Sequence, residues 1–482
     1  MITIVGSGPS GLTMAYYLTK AGHNVKVIEQ SYLIGGCHKV ERDHGYFSEH
    51  GPRIYLDNYL HTIKMLKELG INFYDYFVPY KFNVSSIGGK SIKHFTIFEF
   101  GVLGYTYMTG VNRILTVAEF GEFWNFSSEA MDYMDRLCRL TDGAGIDRYT
   151  MYEFLQLINQ NALYTVYQPN MPTDKGIFKI WKHKLEQLGV TFIFNSTVNK
   201  LNIVKNRIVS LETTQTDSPI ITDMCILAIP PRNIYSLLKG NKNKDILNMC
   251  IGQFNNWSKN TDYIKYLSIT FHWKKKLMLP NIHGFPKTDW GLAYIVLSDY
   301  MDMSNEPSKT LISIALTRTK VKSLFTKKTS DETVNRKELN AEILRQLKNS
   351  FPDIPHPDKI ISHDSHHDTT KKDNAHTSAF MLTKHGYLSP KTKIRNLYNV
   401  GTHNGNSSYA FTSMESAVQN AIVLSNKLLN KNIQSYTAYT LNYIIMMIMV
   451  TFVTISVVFL WWNPLSTWLG YVIPRITEYL SF

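Results

Sequence analysis

The sequence predicts an α/β protein: a doubly wound parallel-sheet domain built from discontinuous stretches, a second domain of helices and antiparallel sheet, and an apolar C-terminal helix. Three observations predict it. The chain opens on a strand, a glycine turn, a helix and a second strand closed by Glu29. Three β-rich runs with aromatic content follow mid-chain, at Tyr266–Trp273, Ala293–Leu297 and Thr310–Leu316. Near the end, Tyr443–Trp462 carries no charge.

In order, Met1–Val5 reads as a short apolar strand and Gly6–Gly11 as a turn. Leu12–Ala21 is a helix ended by Gly22, a residue free to take the left-handed conformation at a helix end. Val25–Ile28 is a second buried strand. Residues 57 to 165 are mostly helical by pattern, as in Tyr59–Leu69 and Ser128–Leu140. Gly176–Leu188 is amphipathic, and Thr191–Asn195, Val198–Ile203 and Arg207–Glu212 alternate like strands of one small hairpin sheet. Met224–Ala228 is a buried strand, Arg336–Lys348 a helix, Asn396–Val400 a last strand and Ser413–Leu429 the helix after it. Asp358–Asn374 reads as a polar loop. Its histidines, with His356 and His376 to either side, lack a metal-ligand spacing, so no metal is expected.

Composition bounds the rest. A chain of 482 residues suits two globular units, and 44% hydrophobic with 18% charged residues excludes a disordered protein. The net charge of +13 is scattered and fits a solvated surface or attraction to an anionic membrane. No zinc-finger or RNA-binding signature is visible, so no nucleic-acid partner is expected. Cys37, Cys138, Cys225 and Cys250 show neither a CxxC pair nor a disulfide framework, which fits a reducing compartment. The first residues already form a strand and turn, so no signal peptide is expected. Tyr443–Trp462 has the roughly 20 residues a bilayer core requires, with aromatic residues at both ends as interfacial anchors. Residues 463–482 mix aromatic and polar residues and suit an interfacial tail.

The chemistry begins at Gly6-Ser7-Gly8-Pro9-Ser10-Gly11. In a Rossmann-type unit the first glycine allows the tight turn, the second lets backbone approach a pyrophosphate, and the third lets helix and strand pack. Ser10 lies at the helix start, where free N–H groups and the positive dipole end favour phosphate. Glu29 ends the second strand, where a carboxylate accepts ribose hydroxyls. Gly35-Gly36 then adds a second glycine turn that a simple NAD domain rarely needs.

With Tyr46-Phe47 and Gly51-Pro52-Arg53, residues 1–55 resemble the opening of the FAD-dependent amine oxidase, protoporphyrinogen oxidase and phytoene desaturase superfamily. Pro169–Leu201 resembles its middle block, and Tyr398-Asn399-Val400-Gly401-Thr402 with Met414-Glu415-Ser416-Ala417-Val418 its closing block. The resemblance implies noncovalent FAD. It implies that Val198 meets the adenine through its backbone, and that Gly401, Thr402, Ser413 and Met414 hold the pyrophosphate and the flavin carbonyl. Gly51 and Pro52 would lie on the path to the flavin ring. It implies an FAD-binding domain of residues 1–75, 166–262 and 376–432 and a substrate domain of 76–165 and 263–375. The chain departs from amine oxidases at Cys37-His38, where they place Arg, at His403, where they place an acid, and at Ser413, where some carry an aromatic residue.

Arg53 and Tyr55 are candidates to face the flavin, and Lys274 ends a strand where some relatives keep a water-binding lysine. Arg53 equally suits only holding the pyrophosphate or a surface acid, and Lys274, beside Lys275 and Lys276, also suits a solvated strand end. The expected function is an FAD-dependent oxidoreductase acting on a small molecule, with apolar or membrane-derived compounds among the candidates. The expected location is a membrane: a single C-terminal span holds the globular part on the cytosolic side, because Lys427 and Lys431 flank the span there. Two alternatives stay open: a flavin-dependent isomerase like the UDP-galactopyranose mutases, which His50-Gly51-Pro52-Arg53 also resembles, and a non-catalytic flavin-fold membrane protein.

Overall fold

A computed structural model describes residues 1–49, 54–80, 94–239, 267–279, 288–333, 335–362, 387–407, 409, 412–437 and 440–479. Gly51, Pro52, Arg53, Cys250, and His363, His366, His367 and His376 lie outside the described residues.

The elements run β1 (Ile2–Val5), α1 (Pro9–Lys20), β2 (Val25–Ile28), β3 (Val40–Asp43), β4 (Tyr46–Glu49), β5 (Tyr55–Leu56), α2 (Leu60–Glu68), α3 (Phe73–Tyr76) and β6 (Phe77–Pro79). A helical block follows, of α4 (Ile97–Thr109), α5 (Val117–Phe123), α6 (Ser128–Asp142) and α7 (Met151–Leu163). Next come β7 (Val166–Pro169), α8 (Ile177–Gln187), β8 (Thr191–Ile193), β9 (Val198–Val204), β10 (Arg207–Thr213), β11 (Ile220–Ile221), β12 (Met224–Leu227) and α9 (Pro231–Lys239). Then come β13 (Leu267–Trp273), β14 (Leu292–Val296), β15 (Thr310–Leu316), α10 (Arg336–Leu347), β16 (Lys359–Ser362), β17 (Leu397–Asn399), α11 (Met414–Leu429) and α12 (Leu441–Tyr479).

The first sheet is parallel throughout, in the order β17-β12-β1-β2-β8. β1 is buried along its whole length, as an unbroken Ile-Thr-Ile-Val run covered on both faces must be. Pro9 starts α1 without wasting a donor, since the first N–H groups of a helix have no partner inside it. α1 packs along α11, so the first and last helices of this layer share one core through Leu12, Ala15, Val418 and Ala421.

The second sheet is antiparallel, in the order β14-β15-β13-β16. Every residue of β13 and β15 is buried. One face is covered by Leu339, Ile343 and Leu347 of α10, and Val40 and Phe47 of the β3–β4 hairpin pack with Ile295, Leu297 and Leu311 in a further cluster. The Ser268 hydroxyl donates to the Glu49 carbonyl at 2.8 Å, so the hairpin after the glycine pair is stitched to the antiparallel sheet.

Three expectations are corrected. Thr191–Asn195 does not join the hairpin sheet. β8 extends the parallel sheet beside β2, while β10 pairs with β9 on one side and β11 on the other. A short alternating run carries no signal for which backbone it will pair with. β16 lies where a polar loop was expected; it is an edge strand recruited through its backbone against β13. The tail is not separate from the apolar run: α12 continues to Tyr479 through Pro464 and Pro474, each of which removes one helical donor without ending the helix. The most apolar 18-residue stretch of Tyr443–Pro474 has a mean hydropathy of 2.6 and none of its residues is buried, so by length and composition the helix suffices to cross a membrane.

Two buried histidines give the fold a pH signature. His272 on β13 lies 3.0 Å from the Ser308 hydroxyl, and His403 lies 3.0 Å from the Asn399 amide oxygen. Burial pulls both down to about 3. Each ring stays neutral in the fold and gains its proton on unfolding between pH 6.5 and about 3, so stability is lost as pH falls below 6.5. From pH 6.5 to 5.5 the loss should be about 1 kcal/mol per histidine, read from urea midpoints. His403→Asn should flatten the pH slope by that amount; an unchanged slope would show the ring is not neutral in the fold.

Candidate functional site

The ends of β1, β2 and β12 meet at a place where no side chain fits. Gly6 has φ of +102°, and a Cβ there would stand 2.5 Å from the Ala228 carbonyl oxygen at the end of β12. A Cβ on Gly11 would collide with the Gly6 carbonyl oxygen. The second glycine pair folds back onto this turn: Gly35 donates to the Ser7 carbonyl at 2.9 Å, and a Cβ on Gly36 would lie 3.0 Å from the Gly8 Cα. The result is a cradle of bare backbone at the N-terminus of α1, which can admit a pyrophosphate because any Cβ would fill it. The residues present therefore fit a dinucleotide.

Glu29 stands beside the cradle at the end of β2. One carboxylate oxygen accepts the Ser7 N–H and the Ser7 hydroxyl, both at 2.8 Å, and the other accepts the Ser31 N–H at 3.0 Å. Ser7 was not singled out in the sequence. Its place between two glycines was the available signal, and it clamps the acid to the turn. The Glu29 carbonyl also receives the Ser196 N–H at 2.9 Å, which brings the start of β9, with Val198, close to the same strand end. Ser10 is buried and donates to the Ala417 carbonyl at 3.0 Å, so it ties α1 to α11.

The closing block approaches from β17. Gly401 donates to the Asn404 side-chain oxygen at 2.8 Å, and Thr402 opens a short turn to Asn404. Gly401 also leaves room for the His403 ring, whose Cε1 would lie 2.5 Å from a Cβ there. His403 is thus a neutral core group held by Asn399. Ser413 caps α11 by accepting the Ser416 N–H at 3.0 Å, and Met414 is buried behind it. Glu415 accepts four hydrogen bonds: from the His61 N–H and ring Nδ1–H, and from the Thr62 N–H and hydroxyl, at 2.7–2.9 Å. A buried carboxylate at the start of α2 also suits that helix's positive end.

On the side of the second sheet, the Tyr55 hydroxyl lies 3.0 Å from His38 Nδ1, two residues beyond the glycine pair. Tyr55 is fully buried, with its ring 4.7 Å from Phe77. Tyr80 and Tyr300 meet edge to face at 5.0 Å. Burial raises both phenols well above their ordinary value, with Glu49, Tyr55 and Asp299 adding to the effect at Tyr300. These groups come from separated stretches, and no spacing could have announced them. Lys274 is not part of this group. It is exposed at the end of β13, its N–H donating to Asp358 at 2.7 Å. Among the described residues no group of three His, Cys, Asp or Glu gathers as metal ligands would. The buried Cys225 thiol, pushed up to about 12 by desolvation, is no nucleophile.

Residues 4–69 match a family model described as an NAD(P)-binding Rossmann-like domain, and residues 179–425 one described as flavin containing amine oxidoreductase. Two curated relatives are L-amino-acid oxidases. That of Echis ocellatus is 45% identical over 53 residues, 11% of this chain and 10% of its own. That of Sistrurus catenatus edwardsii is 33% identical over 76 residues, 16% of this chain and 15% of its own. The chain thus matches only a small part of those relatives' length. Among solved structures, wild-type putrescine oxidase bound to putrescine superposes with a TM-score of 0.65 at 14% identity, covering 89% of this chain and 99% of that one. A fatty acid isomerase from P. acnes gives 0.57 at 13% identity, covering 89% and 97%. At such identities the likeness is one of fold. The second family model takes in just over half of the sequence, and the chain belongs to the flavin-containing amine oxidoreductases.

Proposed function

We propose that the chain is a membrane-anchored FAD-dependent oxidase or dehydrogenase whose small-molecule substrate enters between the parallel and the antiparallel sheets. The observation that carries this is the convergence of both glycine turns with Glu29 on one bare-backbone cradle. In this reading the FAD-binding domain (1–75, 166–262, 376–432) carries the parallel sheet and the substrate domain (76–165, 263–375) the four-stranded antiparallel sheet. The noncovalently bound FAD supplies the electron acceptor; the protein supplies position and electrostatics.

In this reading Gly6, Gly8, Gly11, Gly35 and Gly36 admit the pyrophosphate, Glu29 accepts ribose hydroxyls, and the Val198 backbone meets the adenine. Thr402, Ser413 and Met414 line the approach to the flavin. Tyr55 and His38 stand where the chain leaves the cradle, and Arg53 belongs with them by sequence. Lys274 is left out, because its exposed position at a strand end fits solvation. A neutral His403 replaces the usual acid, so this end of the site carries one negative charge fewer than the relatives the sequence resembles.

The anchor reading rests on the apolar, unburied α12. Lys427 and Lys431 precede it and only Arg475 and Glu478 follow within it, so positive-inside logic keeps the globular part cytosolic. The 32 residues Tyr443–Pro474 measure about 48 Å as a helix, longer than the ~30 Å hydrocarbon core, and would tilt or emerge past Pro464.

Glu29→Ala should weaken FAD binding by about 1.5–3 kcal/mol, the worth of a charge-assisted hydrogen bond, and Glu29→Asp by less. Flavin-fluorescence titration of apoprotein reads this; an unchanged dissociation constant would remove Glu29 from the site. Acid precipitation of the holoprotein should leave yellow flavin in the supernatant, and colour retained in the pellet would refute noncovalent attachment. Anaerobic reduction by one member of a panel of L-amino acids, putrescine and polyprenoids should bleach the flavin absorbance; bound flavin that no donor reduces would favour the non-catalytic alternative. Full-length protein should resist carbonate extraction from membranes, and protease outside sealed vesicles should digest the flavin domain. Extraction by carbonate would end the anchor reading.

A further inference from the structure

α4 is amphipathic the wrong way round for a helix of a water-soluble lobe. Its buried side presents Glu99, Val102, Leu103 and Thr106. Its solvent side presents Ile97, Phe98, Phe100, Tyr105 and Met108, and Ile114 continues the patch beyond the helix end. Ile97 is 94% exposed and Ile114 73%. Gly101 and Gly104 lie among them with no heavy atom near where a Cβ would be. Between Thr96 and Leu115 the charges are Glu99 and Arg113 alone. Glu99 is turned inward, where it accepts the backbone N–H groups of Thr96 and Ser127. A helix that buries its carboxylate in a cap and shows aromatics to the outside has an apolar phase on that side.

The chain itself says which phase. Just before α12, Tyr436 donates its N–H to His61 Nε2 at 3.1 Å, Lys64 donates to the Gln434 carbonyl at 3.0 Å, and Ile433 and Asn426 exchange hydrogen bonds. The segment leading to the apolar helix is therefore pinned to α2 and α11. Four residues, 437–440, separate Tyr436 from Leu441, a reach of about 17 Å at full extension. A globular body tethered this tightly stays at the membrane surface. α2 and α4 contribute to one hydrophobic core, so the lobe that carries the tether also carries the patch. The net charge of +13 favours an anionic leaflet, with Arg113 at the end of the patch to meet its headgroups.

We infer that the exposed face of α4 is a second membrane contact, seated in the headgroup and upper acyl region of an anionic bilayer while α12 spans it. This rests on the anchor reading above, and it adds that the helical lobe lies against the membrane in one fixed orientation.

The test uses full-length holoprotein in nanodiscs of phosphatidylcholine and phosphatidylserine doped with a diazirine-bearing phosphatidylcholine. After photolysis, labelled peptides are mapped by mass spectrometry. Label is expected in two places, the α12 segment and residues 97–114. In the variant Phe98→Glu/Phe100→Glu/Met108→Glu, label at 97–114 should fall at least about tenfold while α12 stays labelled. The flavin absorbance of that variant shows that it has folded. Label in α12 with none at 97–114 overturns the inference and leaves the anchor standing. Label in neither overturns both. Two chains per nanodisc with α4-to-α4 cross-links, and no lipid label there, would make the occupant a second copy and also overturn it.

Discussion

The cofactor end of this molecule depends on two backbones approaching more closely than side chains allow. Gly11 of α1 rests on the Gly6 carbonyl, and Gly6 rests on Ala228 at the end of β12. That contact sets how deep α1 sits on the sheet, hence where its N-terminus points. A Cβ at Gly11 would lift the helix off the strand, and the distance between its free N–H groups and any phosphate would grow. Gly35 and Gly36 then bring a second loop down on the same spot. Conformational freedom matters here at Gly6 and Gly35, whose φ values of +102° and +107° are closed to ordinary residues.

The closing block is held to this frame by buried polar links. Ser10 reaches Ala417, and Glu415 takes four hydrogen bonds from the first turn of α2. Each bond to a buried charge contributes about 1.5–3 kcal/mol, and losing the carboxylate would strand four donors in a dry environment. His61 passes the constraint on: its Nδ1 donates to Glu415, so its Nε2 is free to accept the Tyr436 N–H. The segment entering the apolar helix is thus registered against the helix whose first turn carries Ser413 and Met414. Cofactor frame and apolar helix are linked through three side chains.

Much of this was legible in the sequence, for a physical reason. Constraints that act between neighbours leave local marks: the glycine spacing, the acid at the end of β2, the uncharged run at the C-terminus, and the Thr-x-x-Glu capping boxes of α4 and α5. Constraints that act through space leave none. Pairing of β8 with β2 rather than with β9 is decided by which backbone lies beside it. β16 is recruited from a polar stretch by the free edge of β13. The meeting of His38 with Tyr55, or of Tyr80 with Tyr300, brings together residues whose spacing means nothing in one dimension.

The same asymmetry explains why family membership names a cofactor more securely than a reaction. The cradle is made of backbone, so the fold that builds it can persist while side chains change; that fold is shared with putrescine oxidase at 14% identity. The side chains of β4, β5, β6 and the turn after β14, by contrast, are free to change without disturbing the cradle. A fatty acid isomerase on the same fold shows how far such change reaches. In this chain that region gathers buried phenols, with desolvation raising Tyr80 and Tyr300 together. Such a lining favours an apolar body over a strongly solvated ion, because each buried charge would need its own partner. A tether of four residues and an outward-facing apolar helix would set that lining beside a reservoir of apolar compounds, which connects the anchor to the chemistry through access.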